Sequence, residues 1–491
     1  MTQALTTPND FSSGIPVQNN SFFVGTFASQ KVNATANSTV NAAHALWHFA
    51  QTWFAEFPPY KPSNNKISIW TESVCIPTAQ LIPSGLISGF LFSQYGGKYG
   101  PVFTAFFDEQ NEKIVGGSTS YAGAIELHLD TLGIVNGWYV RCFSWLGELY
   151  VDANCSVDTL TQALSYPQIA YNNTYGIEGI NSTVYRQAID DFSKPGGCKD
   201  KLIECRTLAA QYDKDGVGNV PQVNAACGDA DTFCFTHLTL PYIITSNRGY
   251  YDMGHVNPDP FPPQYLLGYL SQHWVQGALG VPVNFTASAR PIYTAFTATA
   301  DPPRGGVIED IGFILDRGIK VALVYGDRDY LCNWIGGEEV SLAVDYYDQQ
   351  NFKRAGYAPV QVSNGYVGGL VRQFGNFSFT RVFEAGHEVP SYQPETAYEI
   401  FRRAIFGKDI ATGEVSISED CEYSSQGPSS TWQVKNAIPP DPKPTCYILD
   451  PSTCTGRQLD SVYFNEALIH NYIVQDGESS APQGNNSQYP A

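Results

Sequence analysis

The sequence predicts an α/β fold interrupted by a mainly helical insertion. Three observations carry this reading. Residues 41–135 run helix, strand, turn, helix, strand. The same alternation resumes near residue 307. The stretch between, about 160–300, changes character: it is rich in Tyr, Asn and Pro and carries a cluster of Cys. Alternating strands and helices build a sheet covered by helices, and a segment of foreign composition between two such runs reads as an insertion.

Each element has its own justification. Residues 1–40 are polar, rich in Asn and Thr, and read as irregular. In 41–57, Leu46, Phe49, Ala50, Trp53, Phe54 and Phe57 recur at helical spacing and predict one apolar face. Pro58-Pro59 ends that helix, because proline cannot donate and its ring clashes with the preceding turn. Lys66–Trp70 alternates like a strand, Val102–Ile114 is an amphipathic helix and Leu129–Val135 the next strand. Pro263–Leu279 is a helical piece of the insertion. Val307–Arg317 is helical, and the apolar run Ile319–Tyr325 is a buried parallel strand. Phe377–Phe383 is a further strand. Pro394–Phe406 is a helix with Pro in its first turn, where a missing N–H costs nothing. From about 411 the chain is rich in Ser, Pro and Asp and reads as an irregular tail partly clamped by Cys. The expected regions are 1–159 (first part of the core), 160–300 (cap), 301–410 (second part of the core) and 411–491 (tail).

Composition narrows the function classes. The chain has 491 residues, with Lys+Arg 28 against Asp+Glu 47 and a net charge of −19. That charge disfavours nucleic acid or an anionic membrane as partner. No apolar run approaches the roughly 18 residues of a membrane span. Among the 11 Cys, Cys198, Cys205, Cys227 and Cys234 cluster, and Cys421, Cys446 and Cys454 lie in the tail. Zinc needs close C-x-x-C pairs, often with His; the spacing here is seven and the first cluster holds no His. Disulfides in an oxidising compartment are the expectation, with pairing left open. Sequons at Asn19, Asn33, Asn37, Asn172, Asn181, Asn284, Asn376 and Asn485 point to a glycosylated protein that is secreted, extracellular or vacuolar. The start, Met1-Thr-Gln-Ala-Leu, has no signal-peptide pattern, so the expectation is a signal missing from a shortened N-terminus.

The chemistry lies in three motifs. Trp70-Thr71-Glu72-Ser73, if continued at Tyr95-Gly96-Gly97-Lys98-Tyr99-Gly100-Pro101, forms a nucleophile elbow in which small residues let the backbone turn sharply around Ser73. Residues 74–94 interrupt it. Val74-Cys75 and Phe92-Ser93-Gln94 are codable as intron borders, and residues 139–156 show the same pattern, so both segments read as intron read-through. Excision of the second would fuse Trp138 and Ser156 into one Cys codon. A decoy, Ser120 in Ser118-Thr-Ser-Tyr-Ala-Gly123, is preceded by a helix and followed too closely by a strand. Asp329 follows a strand in Gly326-Asp327-Arg328-Asp329-Tyr330-Leu331-Cys332-Asn333-Trp334 and is the acid that would orient a base. Asp327 beside it reads as a structural carboxylate paired with Arg328. His387, in Ala385-Gly386-His387-Glu388-Val389-Pro390, is the base. Ser, Asp and His in this chain order, each past a strand, match acyl transfer by an activated hydroxyl.

Together these motifs resemble the serine carboxypeptidase family, in particular its secreted fungal branch related to carboxypeptidase Y, over about residues 10–470 outside the two segments. The resemblance implies an α/β-hydrolase fold, incomplete at the N-terminus, that uses Ser73, His387 and Asp329 to remove C-terminal residues from peptides and proteins at acidic pH. It implies Tyr95 N–H as an oxyanion donor and a protonated Glu72 beside the substrate's terminal carboxylate. Cys332 and Glu388 would flank the subsites. It implies no cofactor and no metal. The family's W-L-N-G-G-P-G-type segment does not occur in the sequence, and Val74 follows Ser73, so the chain as written is expected to be inactive. The alternatives are a catalytically dead peptide-binding member and an acyltransferase with the same triad.

Overall fold

The computed structural model describes residues 36–56, 65–72, 80–81, 87–88, 95–136, 141–145, 148–152, 157–257, 266–281, 290–418, 422–440 and 445–475. It divides into two compact units, a larger one of residues 31–262 and 287–441, and a smaller one of 1–30, 263–286 and 442–491.

The larger unit is built on a six-stranded sheet. Its strands are β1 (Ile67–Glu72), β2 (Leu129–Val135), β3 (Lys320–Gly326), β4 (Tyr357–Gln361), β5 (Val367–Phe374) and β6 (Phe377–Val382). Their order is β1-β2-β3-β6-β5-β4. The first three pairings are parallel, and β6 to β5 to β4 is antiparallel. The α/β class is therefore as predicted. β3 is buried from Val321 to Gly326, as a central strand covered on both faces must be. The pair β4–β5 escapes sequence reading because Pro359 and the adjacent Gly368-Gly369 break the apolar alternation.

Helix α1 (Thr39–Glu56) forms where expected but buries only part of the predicted face, Ala50 and Phe54. Ala43, Trp47 and Ala50 are buried, whereas Leu46, Phe49 and Trp53 are 37%, 59% and 36% exposed. Trp47 packs with Ala50, Phe107 and Leu127, and Phe54 joins them. Gln51 fixes this rotation: its Nε2 donates to the Ile125 carbonyl (2.9 Å) and its Oε1 accepts from the Ile125 N–H (2.8 Å). Helix α2 (Gly96–Val115) starts six residues before the predicted Val102. Its glycines bring it against β1; a Cβ on Gly100 would sit 2.7 Å from Thr71 Oγ1.

The insertion is mainly helical. Its centre is α3 (Ser182–Ser193), α4 (Cys198–Tyr212) and α5 (Pro221–Cys234). Seven residues are about two helical turns, so Cys198 and Cys205 share one face of α4, as Cys227 and Cys234 share one face of α5. The disulfides Cys198–Cys234 and Cys205–Cys227 staple the two helices antiparallel. Beyond the insertion, α6 (Val307–Asp316), α7 (Trp334–Ala343) and α8 (Pro394–Ile405) complete the layers. Two hairpins, Gln80–Leu81 with Ile87–Ser88 and Arg141–Trp145 with Glu148–Asp152, lie within the interrupting segments and form separate sheets.

In the smaller unit, the predicted Pro263–Leu279 helix is two short ones, Leu266–Leu270 and His273–Leu279. The tail is more ordered than its composition suggests. Cys446–Cys454 closes a loop, and Thr455 and Gln458 form a capping box on the helix Gly456–Tyr463. Among the described residues, no helix is long and apolar enough to cross a membrane.

Candidate active site

The parallel register places the carboxyl ends of β1, β2, β3 and β6 along one edge: Glu72 opposes Val135, Val135 opposes Val324, and Gly326 opposes Val382. Catalytic groups of α/β folds gather at this edge.

Asp329 follows β3 and is fully buried. Its Oδ1 accepts the Cys332 N–H at 3.0 Å, and its Oδ2 accepts Asn136 Nδ2 at 2.7 Å and His387 Nδ1 at 2.7 Å. A carboxylate so satisfied cannot turn away from the imidazole. With Nδ1–H donating to Asp329, Nε2 carries a lone pair able to take a proton. Burial pulls the His387 pKa down, but the Asp329 charge and hydrogen bond, with lesser help from Glu388 and Glu72, leave it raised above the ordinary value.

His387 is presented by a tight turn. Glu384 holds a φ of 56°, and the His387 N–H donates to the Tyr251 carbonyl at 2.9 Å. The Tyr251 ring packs on the imidazole at 4.9 Å. Gly326 must be Gly, since a Cβ there would lie 2.2 Å from the Gly386 carbonyl oxygen. Cys332 Sγ lies 3.3 Å from His387 Nδ1 and is buried. Asp329, Cys332 and His387 also form a grouping whose donor atoms all lie within 4.8 Å of one another. A metal there would have to displace the hydrogen bond that makes the acid–base pair.

Asp327 is structural, but its partner differs from the expectation. It pairs with Arg381 (3.1 Å), and accepts Tyr175 OH (2.6 Å), Asn436 Nδ2 (2.9 Å) and the Glu384 N–H (2.9 Å). Arg328 instead lies against Asp252, 2.9 Å away. Asp327 and Arg328 both lie in the turn that follows β3, and each has a buried partner of opposite charge from elsewhere in the chain.

Glu72 ends β1, and burial raises its carboxyl pKa, with His387 opposing. Glu388 is pushed up to about 7 by burial, again opposed by His387 and helped by the Glu72 and Asp329 charges. Among the described residues, Glu72 Oε1 and Glu388 Oε2 have no hydrogen-bond partner. Beside them opens a cleft of about 410 Å³, lined by Trp70, Glu72, Val135, Val389, Pro390 and Phe401 among others. Tyr95 is the N-cap residue of α2 and is 3% exposed.

Ser73 lies outside the described residues, as does Gln94, the other residue able to precede Tyr95. The decoy Ser120 is exposed in the loop before β2, at the opposite end of the sheet from His387. Sequence reading missed Asn136. It is fully buried, holds a φ of 41°, and bridges the Gly326 N–H (3.1 Å) to Asp329. An Asn-Gly at a strand end is the available signal, since Asn tolerates the left-handed region.

The fold and the buried Asp–His pair at its carboxyl edge define an α/β protein equipped for acid–base chemistry of the serine-hydrolase kind. Comparison with known proteins places it further. A family model described as serine carboxypeptidase matches residues 93–407, and the chain belongs to that family. It is 48% identical over 489 residues to carboxypeptidase S1 homolog A of Arthroderma otae, covering 98% of this chain and 69% of that protein. It is 40% identical over 482 residues to a carboxypeptidase Y homolog of Arthroderma benhamiae, covering 95% and 70%. Carboxypeptidase S1 of Penicillium janthinellum is 30% identical over 375 residues, covering 76% and 74%. The chain thus spans about two thirds of the length of the most similar of these relatives.

Proposed function

We propose that the gene behind this chain specifies a carboxypeptidase that releases C-terminal residues from peptides, with Ser73 as nucleophile, His387 as base and Asp329 as the acid that orients it. The observation that carries this is the 2.7 Å Asp329–His387 contact at the strand edge to which Ser73 is adjacent in sequence. Tyr95 N–H serves as an oxyanion donor, Cys332 and Glu388 flank the subsites, and Glu72 in its neutral form hydrogen-bonds the substrate's terminal carboxylate. Acidic pH suits this arrangement. As pH falls, Glu72 and Glu388 become neutral and the carboxylate receptor forms; their lost charge limits, without reversing, the protonation of His387, whose pKa is held up mainly by Asp329.

The 491-residue chain itself is inactive in this reading, because residues 74–94 separate Ser73 from Tyr95. Losing one oxyanion donor typically costs about 10²–10³ in rate. The three disulfides suggest a secretory-pathway protein, as expected of a secreted or vacuolar enzyme. Among the described residues, Asn172 and Asn181 are the exposed sequons and are best placed to carry glycans. Sequencing the transcript across codons 60–165 and upstream of Met1 tests the proposal. A message lacking 74–94 and 139–156 supports it. A message that keeps both, with a product that still releases C-terminal residues, overturns the reading of the interruption.

A further inference from the structure

Segment 250–253 of the insertion crosses both catalytic loops. The Tyr250 carbonyl accepts the N–H groups of Tyr330 and Leu331, each at 3.2 Å. The Tyr251 carbonyl accepts the His387 N–H at 2.9 Å, and the Met253 N–H donates to the Arg328 carbonyl at 2.8 Å. Arg328 N–H donates in turn to the Ala385 carbonyl at 2.9 Å. The acid loop, the base loop and this segment are thus laced together by main-chain bonds.

The side chain that locks the lacing is Asp252, which is fully buried. Its Oδ1 accepts the Gly254 N–H at 2.8 Å, and its Oδ2 lies 2.9 Å from Arg328 Nη2 and 3.5 Å from His255 Nε2. The Arg328–Asp252 approach is a charge contact without the alignment of a good hydrogen bond. The Arg328 guanidinium also lies over the Tyr392 ring, 5.2 Å from its centroid, just beyond the base loop. Space is committed to this contact: a Cβ on Gly254 would be 2.8 Å from Asp252 Oδ1 and 3.1 Å from Arg328 Cδ. Buried ion pairs contribute little net stability but resist separation strongly, because either partner alone is an uncompensated buried charge. Such a pair suits a part that must fix geometry.

We propose that Asp252 is a positioning residue for the Asp329–His387 pair. By holding Arg328, it keeps segment 250–253 seated across the two loops, and so keeps the imidazole in line with the acid. This rests on the reading of Asp329 and His387 as the acid–base pair.

The test is proton NMR of the 491-residue chain, following the His387 Hδ1 that bridges to Asp329, assigned by its loss in His387→Gln. Asp252→Asn is expected to broaden or abolish that signal, and Asp252→Glu to restore part of it. Asp213→Asn, which breaks the buried pair with Arg304, a side chain bonded to Thr299 and Asn224 rather than to the base loop, is expected to lower the melting temperature and leave the signal intact. If Asp252→Asn does not fold, the double variant Asp252→Asn/Arg328→Met removes both charges and is read instead, with the same loss expected. An unchanged Hδ1 in the variant that folds, or an equal change in Asp213→Asn, overturns the proposal. A parent chain with no such proton overturns the acid–base reading and this one with it.

Discussion

The two halves of the catalytic edge are built to different standards. On the acid–base half, β3 and β6 run straight into short loops, and the groups of Asp327, Asp329 and His387 are tied by buried hydrogen bonds. On the nucleophile half, β1 and β2 end side by side, Glu72 opposite Val135, and each is followed by a long segment. Residues 73–94 separate β1 from Tyr95, and 137–156 separate Asn136 from Val157. Loops between strand and helix usually take about 2–6 residues. Yet the residues that border these segments are as well packed as the other half: Tyr95 is 3% exposed, Asn136 0% and Val157 1%. The core therefore stays packed at Tyr95, Asn136 and Val157. What it does not supply is the one covalent step from Ser73 to Tyr95 that an elbow requires.

Breaking that asymmetry is the prediction with the largest effect. Deleting 74–94, together with 139–156 and Trp138→Cys, joins Ser73 to Tyr95. Labelling of Ser73 by a fluorophosphonate is expected to rise by roughly 10²–10³, the worth of an oxyanion donor. Ser73→Ala in the same background removes the label. Equal labelling of the parent and the shortened chain would show that the segment does not disable the elbow.

Asn136 joins the two halves, so changing it sharpens the comparison. Asn136→Ala takes a donor from a buried carboxylate, about 1.5–3 kcal/mol, and puts Ala in a left-handed conformation, roughly 1–2 kcal/mol more. Asn136→Gly keeps the backbone conformation and loses only the hydrogen bonds. Urea denaturation should rank the parent above Gly and Gly above Ala. If Gly and Ala cost the same, the φ of 41° carries no strain.

The same contrast explains what could be read in advance. β3 stands out by its continuous apolar run, α8 by its first-turn Pro, β6 by Phe377 and Phe379 alternating with polar residues, and β2 by its apolar end Leu132-Gly-Ile-Val135. The seven-residue spacing of the Cys cluster puts each pair on one helix face once both segments are known to be helices, but it left the pairing, and so the antiparallel direction, open. The buried face of α1 was misread because Leu46, Phe49 and Trp53 are the larger apolar set, while the decision is made by Gln51 finding the Ile125 backbone. Such a tertiary bond has no local signal. Asp329 and His387 were legible as motif residues; Asn136, Tyr251 and Asp252 act through contacts distant in sequence and were not. Ser73 is read as the nucleophile from its motif alone, and it lies outside the described residues.

The smallest expected effect tests whether the two halves share one electrostatic site. Glu388, on the acid–base half, has its pKa pushed to about 7 by burial, with the Glu72 charge contributing. Its ordinary value is about 4.3. A raised folded-state pKa means that the folded chain holds the proton longer than the unfolded chain. The stability this gives is fully present below the unfolded value and is lost as pH rises through about 7. Glu388→Gln should therefore flatten the fall in urea midpoint between about pH 5 and 8, by up to about 3 kcal/mol. Part of the slope remains, because Asp310 and Glu339 are also raised to about 7. Glu72→Gln removes a like charge from across the edge and should move the Glu388 transition to lower pH. If Glu72→Gln leaves that transition in place, Glu72 and Glu388 do not sense one another, and a single carboxylate-receiving site drawn from both halves is refuted.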